Sequence, residues 1–340
     1  MSTEYKYYEI EKNNLMKLLL NHNIVFFFVI VFLVSWSSWI LAYLLFPGNF
    51  LLQLPLMRIG AFAPALISIF MCSLKNSAES NKTKKRWLTF VIVWIIASLH
   101  FYFYLIHIEN TETGIKLILI TIVTSVLPAF VLSNIFSKKT AIQEHLSTIF
   151  YPKGKLFWYI IAFLIIPFLL SLDVLINYII GNEIGSPEYN FNEYANIKLF
   201  FYLFLIIITQ SLQTGGLSEE PGWRGYAQKE LQKKYSPLIV GIMIGLAWGI
   251  WHFPIYLSQI TSMSLWMIVL GCIQIGLTFT WIYNRTKGSL LAVIILHASW
   301  NTFTHFIPKS SIFDIVMGIF LLIVICTSKM WKKTDKSNNA

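Results

Sequence analysis

Charge is scarce in this chain. Asp, Glu, Lys and Arg make up only 12% of its 340 residues, about half the ~25% usual for a soluble domain. That excludes an ordinary water-soluble globule. Cysteine is scarce as well: Cys72, Cys272 and Cys326 all sit inside apolar runs, and none belongs to a CxxC pair. Neither a thiolate zinc site nor a redox pair is therefore supported, and the thiols read as small hydrophobes. No His-Glu-x-x-His run occurs, so the helix-borne zinc-protease pattern is missing. The opening stretch MSTEYKYYEIEKNNLMKLLLNH is mixed in charge and lacks a small-residue cleavage site, so no cleaved leader is expected. No internal repeat, linker or low-complexity segment divides the chain, and one membrane domain is the simplest organisation.

Long apolar runs are abundant. Hydrophobic residues make up 56% of the chain, and runs of about 20 such residues cross a bilayer as helices. Ten are legible: 24–46, 57–75, 87–107, 115–136, 157–180, 197–215, 237–257, 264–284, 290–307 and 312–331. The expected fold is thus an all-α, polytopic transmembrane helical bundle of about ten spans.

The gaps between spans alternate in charge. Lys6, Lys12 and Lys17 precede the first span, and the second gap holds Lys75, Lys82, Lys84, Lys85 and Arg86. The fourth holds Lys138, Lys139, Lys153 and Lys155, and the sixth Arg224, Lys229, Lys233 and Lys234. The eighth has Arg285 and Lys287, and the tail Lys329, Lys332, Lys333 and Lys336. The odd gaps are poor in basic residues: the third carries Glu109 and Glu112 against Lys116, the fifth Glu183, Glu188 and Glu193 against Lys198, and the ninth only Lys309. Because Lys and Arg favour the cytoplasmic side, both termini and the sixth gap are expected there. The net charge of +10 then reads as topology signals and contact with anionic lipid. No nucleic-acid-binding signature accompanies it.

Ionisable residues within spans mark function more often than not. Arg58 stands close to a span end and reads as a snorkelling side chain. His100 and His107 lie among aromatics and read as interface packing. Asp173 reads as a carboxylate hydrogen-bonded to a neighbouring helix. The stretch GLSEEPGWRGYAQ, Gly216 to Gln228, is different. Ser218 is expected to cap a helix with Glu219, Glu220 and Pro221 in its first turn, and Glu220 and Arg224, four apart, pair on one face. Alone, this reads as a surface helix start with one salt bridge. In the next span Gly241 and Gly245 share a stripe with His252, Trp248 stands one turn before it, and Pro254 loosens the helix just beyond. In the ninth span His297 and Asn301 lie at i, i+4, while His305 has drifted round the helix. Each alone reads as interhelical glue. Together they supply a base, two imidazoles and an amide.

These residues resemble the CPBP (CAAX protease and bacteriocin-processing, or Abi) family of intramembrane proteases. Its three motifs, Glu-Glu-x-x-x-Arg, Phe-x-x-x-His and His-x-x-x-Asn/Asp, appear here in order as EEPGWR (219–224), WGIWH (248–252) and HASWN (297–301). Trp248 replaces the motif's phenylalanine, so a changed pocket shape with a retained aromatic wall is expected. The resemblance covers 197–307, the catalytic core in the C-terminal half. The helices of 24–180 have no assigned role, and 312–340 is the last span with a basic tail.

The resemblance implies an intramembrane endopeptidase acting on a membrane-associated substrate: a prenylated CAAX-like tail, a peptide pheromone or a bacteriocin-type peptide. Glu219 would activate a water that His252 positions, His297 and Asn301 would stabilise the oxyanion, and Glu220 and Arg224 would support the site. Desolvation strengthens a carboxylate base, and a low-dielectric cavity strengthens oxyanion donors. No cofactor is required by this mechanism and no metal is assigned. A divalent ion such as zinc on Glu219, His252 and His297 is the alternative. The expected partners are the peptide or protein substrate and the lipid bilayer, with no nucleic acid, and the expected location is a bacterial cell membrane. Two readings compete: a non-enzymatic bacteriocin-immunity or scaffold protein on the same fold, and a proton-coupled transporter, which needs the inverted repeats this chain lacks.

One spacing is awkward. His252 lies about 20 Å along its helix from Ser236, and His297 only about 10 Å along its own. Either the seventh helix starts well outside the hydrocarbon, or the segment 218–234 dips into it; some of both is expected, with the glutamates below the surface.

Overall fold

The computed structural model describes residues 22–188, 197–258, 265–310 and 312–333. Lys6, Lys12, Lys17, Glu193, Lys336 and the side chain of Lys198 lie outside the described residues. The described chain is helical, and the β-structure within it is one isolated bridge, Glu79 to Lys139. In chain order the helices are α1 (Asn23–Leu45), α2 (Phe50–Ser73), α3 (Thr83–His107), α4 (Ile115–Thr124), α5 (Val126–Ser133), α6 (Thr140–Leu146) and α7 (Leu156–Ile180). They continue as α8 (Ile197–Leu212), α9 (Gly216–Glu220), a π-helical stretch Pro221–Gln228 and α10 (Lys229–Leu231). The set closes with α11 (Pro237–Trp251), α12 (Phe253–Ser258), α13 (Leu265–Arg285), α14 (Leu290–Phe306) and α15 (Phe313–Ser328).

Among the described residues eight candidate spans are long and apolar enough to cross a bilayer, and α14 and α15 are shorter apolar helices. The protein is a multi-pass integral membrane protein. Outward faces carry exposed Leu88, Ile95 and Leu99 on α3 and Leu164, Phe168 and Leu175 on α7, the side-chain choice of a surface solvated by lipid.

The basic gaps meet at one end of the bundle. Ser80 N–H donates to the Lys138 carbonyl and Thr140 N–H to that of Ala78, joining the second gap to the fourth. Lys75 pairs with Glu230 at 3.2 Å, and Leu238 N–H donates to the Met330 carbonyl. Arg285 reaches Ser328 Oγ at 2.9 Å. At the other end Asp173 and Asn177 bind Ser310, and His305 pairs with Glu188. The charge alternation thus sorts the gaps onto two faces, as the spans require.

The awkward depth resolves largely as the second alternative, since the segment continues a candidate span of Leu199–Leu231 and is buried from Gly215 to Gln228. The late start of α14 completes it. Helix α14 begins at Leu290, whose side chain a Cβ on Gly225 would meet at 3.1 Å, and Gly225 is about 9 Å along the helix axis from Leu231. The helix therefore starts deep in the bundle. Its entry is covered by the segment around α6, where Leu290 N–H donates to Thr148 Oγ1 and Ser289 Oγ to the Thr148 carbonyl. His297, about 10 Å further along, comes level with His252, about 20 Å from the basic face.

Helices α11 and α13 pack closely because Gly241, Gly245 and Gly249 face α13. A Cβ at Gly245 would stand 2.6 Å from the Ile273 Cα, and one at Gly276 3.0 Å from the Gly245 Cα. This is the close approach that the glycine stripe predicts. Arg58 does not snorkel. It is buried on α2, donates to the Gln213 carbonyl at 2.9 Å and lies over the Phe101 ring at 5.0 Å. Its partner is a carbonyl just past the end of α8.

Candidate active site

The helix bearing the two glutamates starts earlier than a Ser218 cap requires. Gly215, with φ of 69°, turns the chain, α9 begins at Gly216, and Ser218 Oγ donates back to the Gly215 carbonyl. The α-helix becomes π-helical at Pro221. Proline has no N–H to continue the α-ladder and its ring crowds the carbonyl four residues back, and a widened turn relieves both. Such π segments recur at functional sites. The whole stretch from Gly215 to Gln228 is buried, so the surface-helix reading does not hold. Gly222 allows this burial, since a Cβ there would come within 2.5 Å of Pro64 on α2.

The adjacent glutamates have separate environments. Glu220 is fully enclosed: Oε1 accepts from His297 Nδ1 at 2.7 Å, and Oε2 stands 3.5 Å from Arg224 Nε. Glu219 keeps 5% exposure. Its Oε2 accepts two indole N–H bonds, from Trp248 at 2.6 Å and Trp223 at 3.3 Å. The Trp248 that departs from the family motif therefore gives Glu219 a donor that phenylalanine lacks.

Arg224 is wholly buried over Phe279, 4.4 Å from the ring centroid, with Trp248 at 5.8 Å. Its three guanidinium nitrogens make no hydrogen bond among the described residues. A buried cation held by one long ion pair and two aromatic faces is an expensive arrangement.

The two histidines are fixed by their Nδ1 atoms. His252 ends α11, where Pro254 breaks the helix, and its Nδ1 lies 2.8 Å from the Trp248 carbonyl. A carbonyl only accepts, so Nδ1 carries the proton and the neutral ring keeps its Nε2 lone pair. His297 Nδ1 likewise faces an acceptor, the Glu220 carboxylate, so it too carries a proton. Trp248 touches both imidazoles, with centroids at 5.3 Å from His252 and 5.6 Å from His297.

Asn301, one turn beyond His297, approaches the Gly215 turn. A Cβ at Gly215 would lie 2.5 Å from His297 Nε2 and 2.8 Å from Asn301 Nδ2. The structure thus gathers Glu219, Glu220, Arg224, Trp248, His252, His297 and Asn301 around one buried turn. His305 is outside it, bonded to Glu188, and His100 packs against α8 through the Leu205 carbonyl and Thr209.

Sequence reasoning missed several residues. Trp223 lies within the first motif, yet its indole role is invisible there. Gln210, buried on α8, accepts from Thr214 Oγ1 at 2.5 Å and from Asn301 Nδ2 at 3.2 Å. His145 on α6 bonds Ser68 Oγ at 2.9 Å and packs on Gly225. Burial, then Lys229 and Lys75, push its pKa down to about 3. No sequence pattern signals these partners, which come from distant helices.

The candidate zinc ligands do not fit a shared ion. Among the described residues no three His, Cys, Asp or Glu side chains lie close enough to hold a metal. Trp248 lies among the three candidate ligands, touching both imidazoles and donating to Glu219.

Residues 197–303 match the family model described as type II CAAX prenyl endopeptidase Rce1-like. CAAX prenyl protease 2 of Methanococcus maripaludis is 28% identical over 146 residues, 40% of this chain and 52% of that protein. The match spans about half the length of this curated relative. The 197–303 segment is thus similar to CAAX prenyl endopeptidases, and it contains all three motifs.

Proposed function

We propose that the protein is an intramembrane endopeptidase that hydrolyses a peptide bond near the C-terminus of a lipidated, CAAX-type substrate, from a site open to the cytoplasmic face. The observation that carries this reading is the unequal pair of glutamates. Glu220 is committed to His297 and Arg224, whereas Glu219 is oriented by indole N–H groups, makes no ion pair within 4 Å among the described residues and retains exposure. Of the two, only Glu219 has a free role for a proton.

In this reading Glu219 takes a proton from a water that also donates to the His252 Nε2 lone pair. The water oxygen bonds to the scissile carbonyl carbon. The resulting oxyanion is held beside His297 and Asn301. Collapse breaks the C–N bond, and the proton held by Glu219 passes to the leaving amine. Every step uses side chains of this chain and requires no metal.

The test is cleavage of an internally quenched peptide carrying an S-farnesylated cysteine followed by three residues, using purified protein in lipid nanodiscs. Wild type is expected to release the C-terminal fragment, and Glu219→Ala, His252→Ala and His297→Ala to lose turnover. Equal turnover in all four proteins sinks the mechanism. A chelator is expected to leave the wild-type rate unchanged, and its abolition would contradict the metal-free route.

A further inference from the structure

We propose that Gln210, outside all three motifs, is a positioning residue that sets which end of the Asn301 amide faces the substrate carbonyl. The proposal rests on the peptidase reading and goes beyond it. The NH2 and C=O ends of an asparagine are nearly equal in shape, and only hydrogen-bond partners decide which way the amide stands. At Asn301 that partner is Gln210 Oε1, which accepts from Nδ2 at 3.2 Å.

Gln210 is itself oriented by Thr214, whose hydroxyl donates to the same oxygen at 2.5 Å. Both residues belong to the end of α8 and the turn that follows it, so the orientation is built into the chain just before Gly215. One Nδ2 proton of Asn301 goes to Gln210. The amide nitrogen also borders the Gly215 turn, where a Cβ would meet it at 2.8 Å and His297 Nε2 at 2.5 Å. Asn301 Nδ2 and His297 Nε2 thus border the same place beside the turn.

A flipped amide would present a carbonyl lone pair at that place and repel an oxyanion instead of donating to it. The consequence falls on the transition state, because only there does the substrate oxygen carry a full charge. Gln210 acts through Asn301 and touches no substrate.

The experiment is steady-state cleavage of the same farnesylated quenched peptide. Gln210→Leu is expected to lower kcat by about 10- to 100-fold while leaving KM within about twofold, and Gln210→Glu, which keeps an acceptor, to recover most of that loss. In an Asn301→Ala background Gln210→Leu is expected to cost nothing further, since a residue acting through another is non-additive with it. Thr214→Val is expected to give a smaller loss in kcat, so the idea stays testable if Gln210→Leu does not fold. A Gln210→Leu enzyme as fast as wild type overturns the proposal, as does an undiminished loss in the Asn301→Ala background. A wild type that leaves the peptide intact removes both readings at once.

Discussion

Two buried carboxylate clusters lie in this bundle, and they are built in opposite ways. Asp173, with no exposure, receives neutral donors from nearby: Ser310 Oγ at 2.5 Å and Asn177 Nδ2 at 3.0 Å on Oδ1, and Ser310 N–H at 2.9 Å on Oδ2. Both oxygens are occupied, and the carboxylate ties the turn before α15 to α7. The Glu219 and Glu220 cluster holds comparable burial with fewer bonds per carboxylate and a guanidinium that donates none. A satisfied network rigidifies, whereas an unsatisfied one is costly and survives where function requires it. Burial alone does not tell the two apart. The donor inventory does.

Replacing members of each cluster separates them, beginning with the largest expected effect. Arg224→Met leaves the enclosed Glu220 without its cation, and a loss of about 3–5 kcal/mol is expected for breaking a buried pair. Thermal unfolding in detergent measures it, and a melting temperature equal to wild type would remove the pair from the account. Next comes Gly215→Ala, which forces a side chain into a positive φ and against His297 and Asn301. Turnover should fall about 10²-fold, the scale of a misplacement near 1 Å, and an unchanged rate would show that the turn gives way freely.

Asp173→Ala should lower stability by about 1–3 kcal/mol, because Ser310 loses its acceptors. Turnover per folded molecule should persist, and inactivity without destabilisation would dissolve the contrast between the clusters. The smallest effect is one of pH. His145 titrates near 6.5 when unfolded and is pushed down to about 3 in the fold, by burial and by Lys229 and Lys75. The unfolded chain therefore binds the extra proton between these values. Stability is complete above about pH 6.5 and falls as pH drops toward 3, by at most about 1.4 kcal/mol per pH unit. His145→Gln should flatten the melting temperature against pH, and an unaltered slope would contradict the assignment.

Much of this was legible in the sequence. The run 157–180 meets α7 at Leu156–Ile180, and 24–46 meets α1 at Asn23–Leu45, because hydropathy fixes where a chain enters lipid. The Glu220 to Arg224 pairing followed from helical spacing, and the glycine stripe of α11 from its period. What escaped is long-range or register-dependent. The Ser218 cap failed because Gly215 turns the chain earlier. Arg58 found a carbonyl across the bundle, and α14 starts deep because α6 covers its entry. Gln210 meets Asn301 across 91 positions of sequence, and no local pattern records such a pair. The N-terminal helices, silent as sequence, supply the walls: Pro64 backs Gly222, Trp36 Nε1 donates to the Trp251 carbonyl at 3.0 Å, and Phe28 stacks on Trp223.

The central claim is that one carboxylate does chemistry and the other holds the fold. Turnover of the farnesylated peptide and melting temperature, measured side by side for Glu219→Gln and Asp173→Asn, address it most directly. The account predicts crossed losses: Glu219→Gln slower by at least about 10²-fold with its melting temperature kept, and Asp173→Asn less stable with turnover per folded molecule kept. Equal turnover in the two variants, or a Glu219→Gln enzyme as fast as wild type, would contradict it.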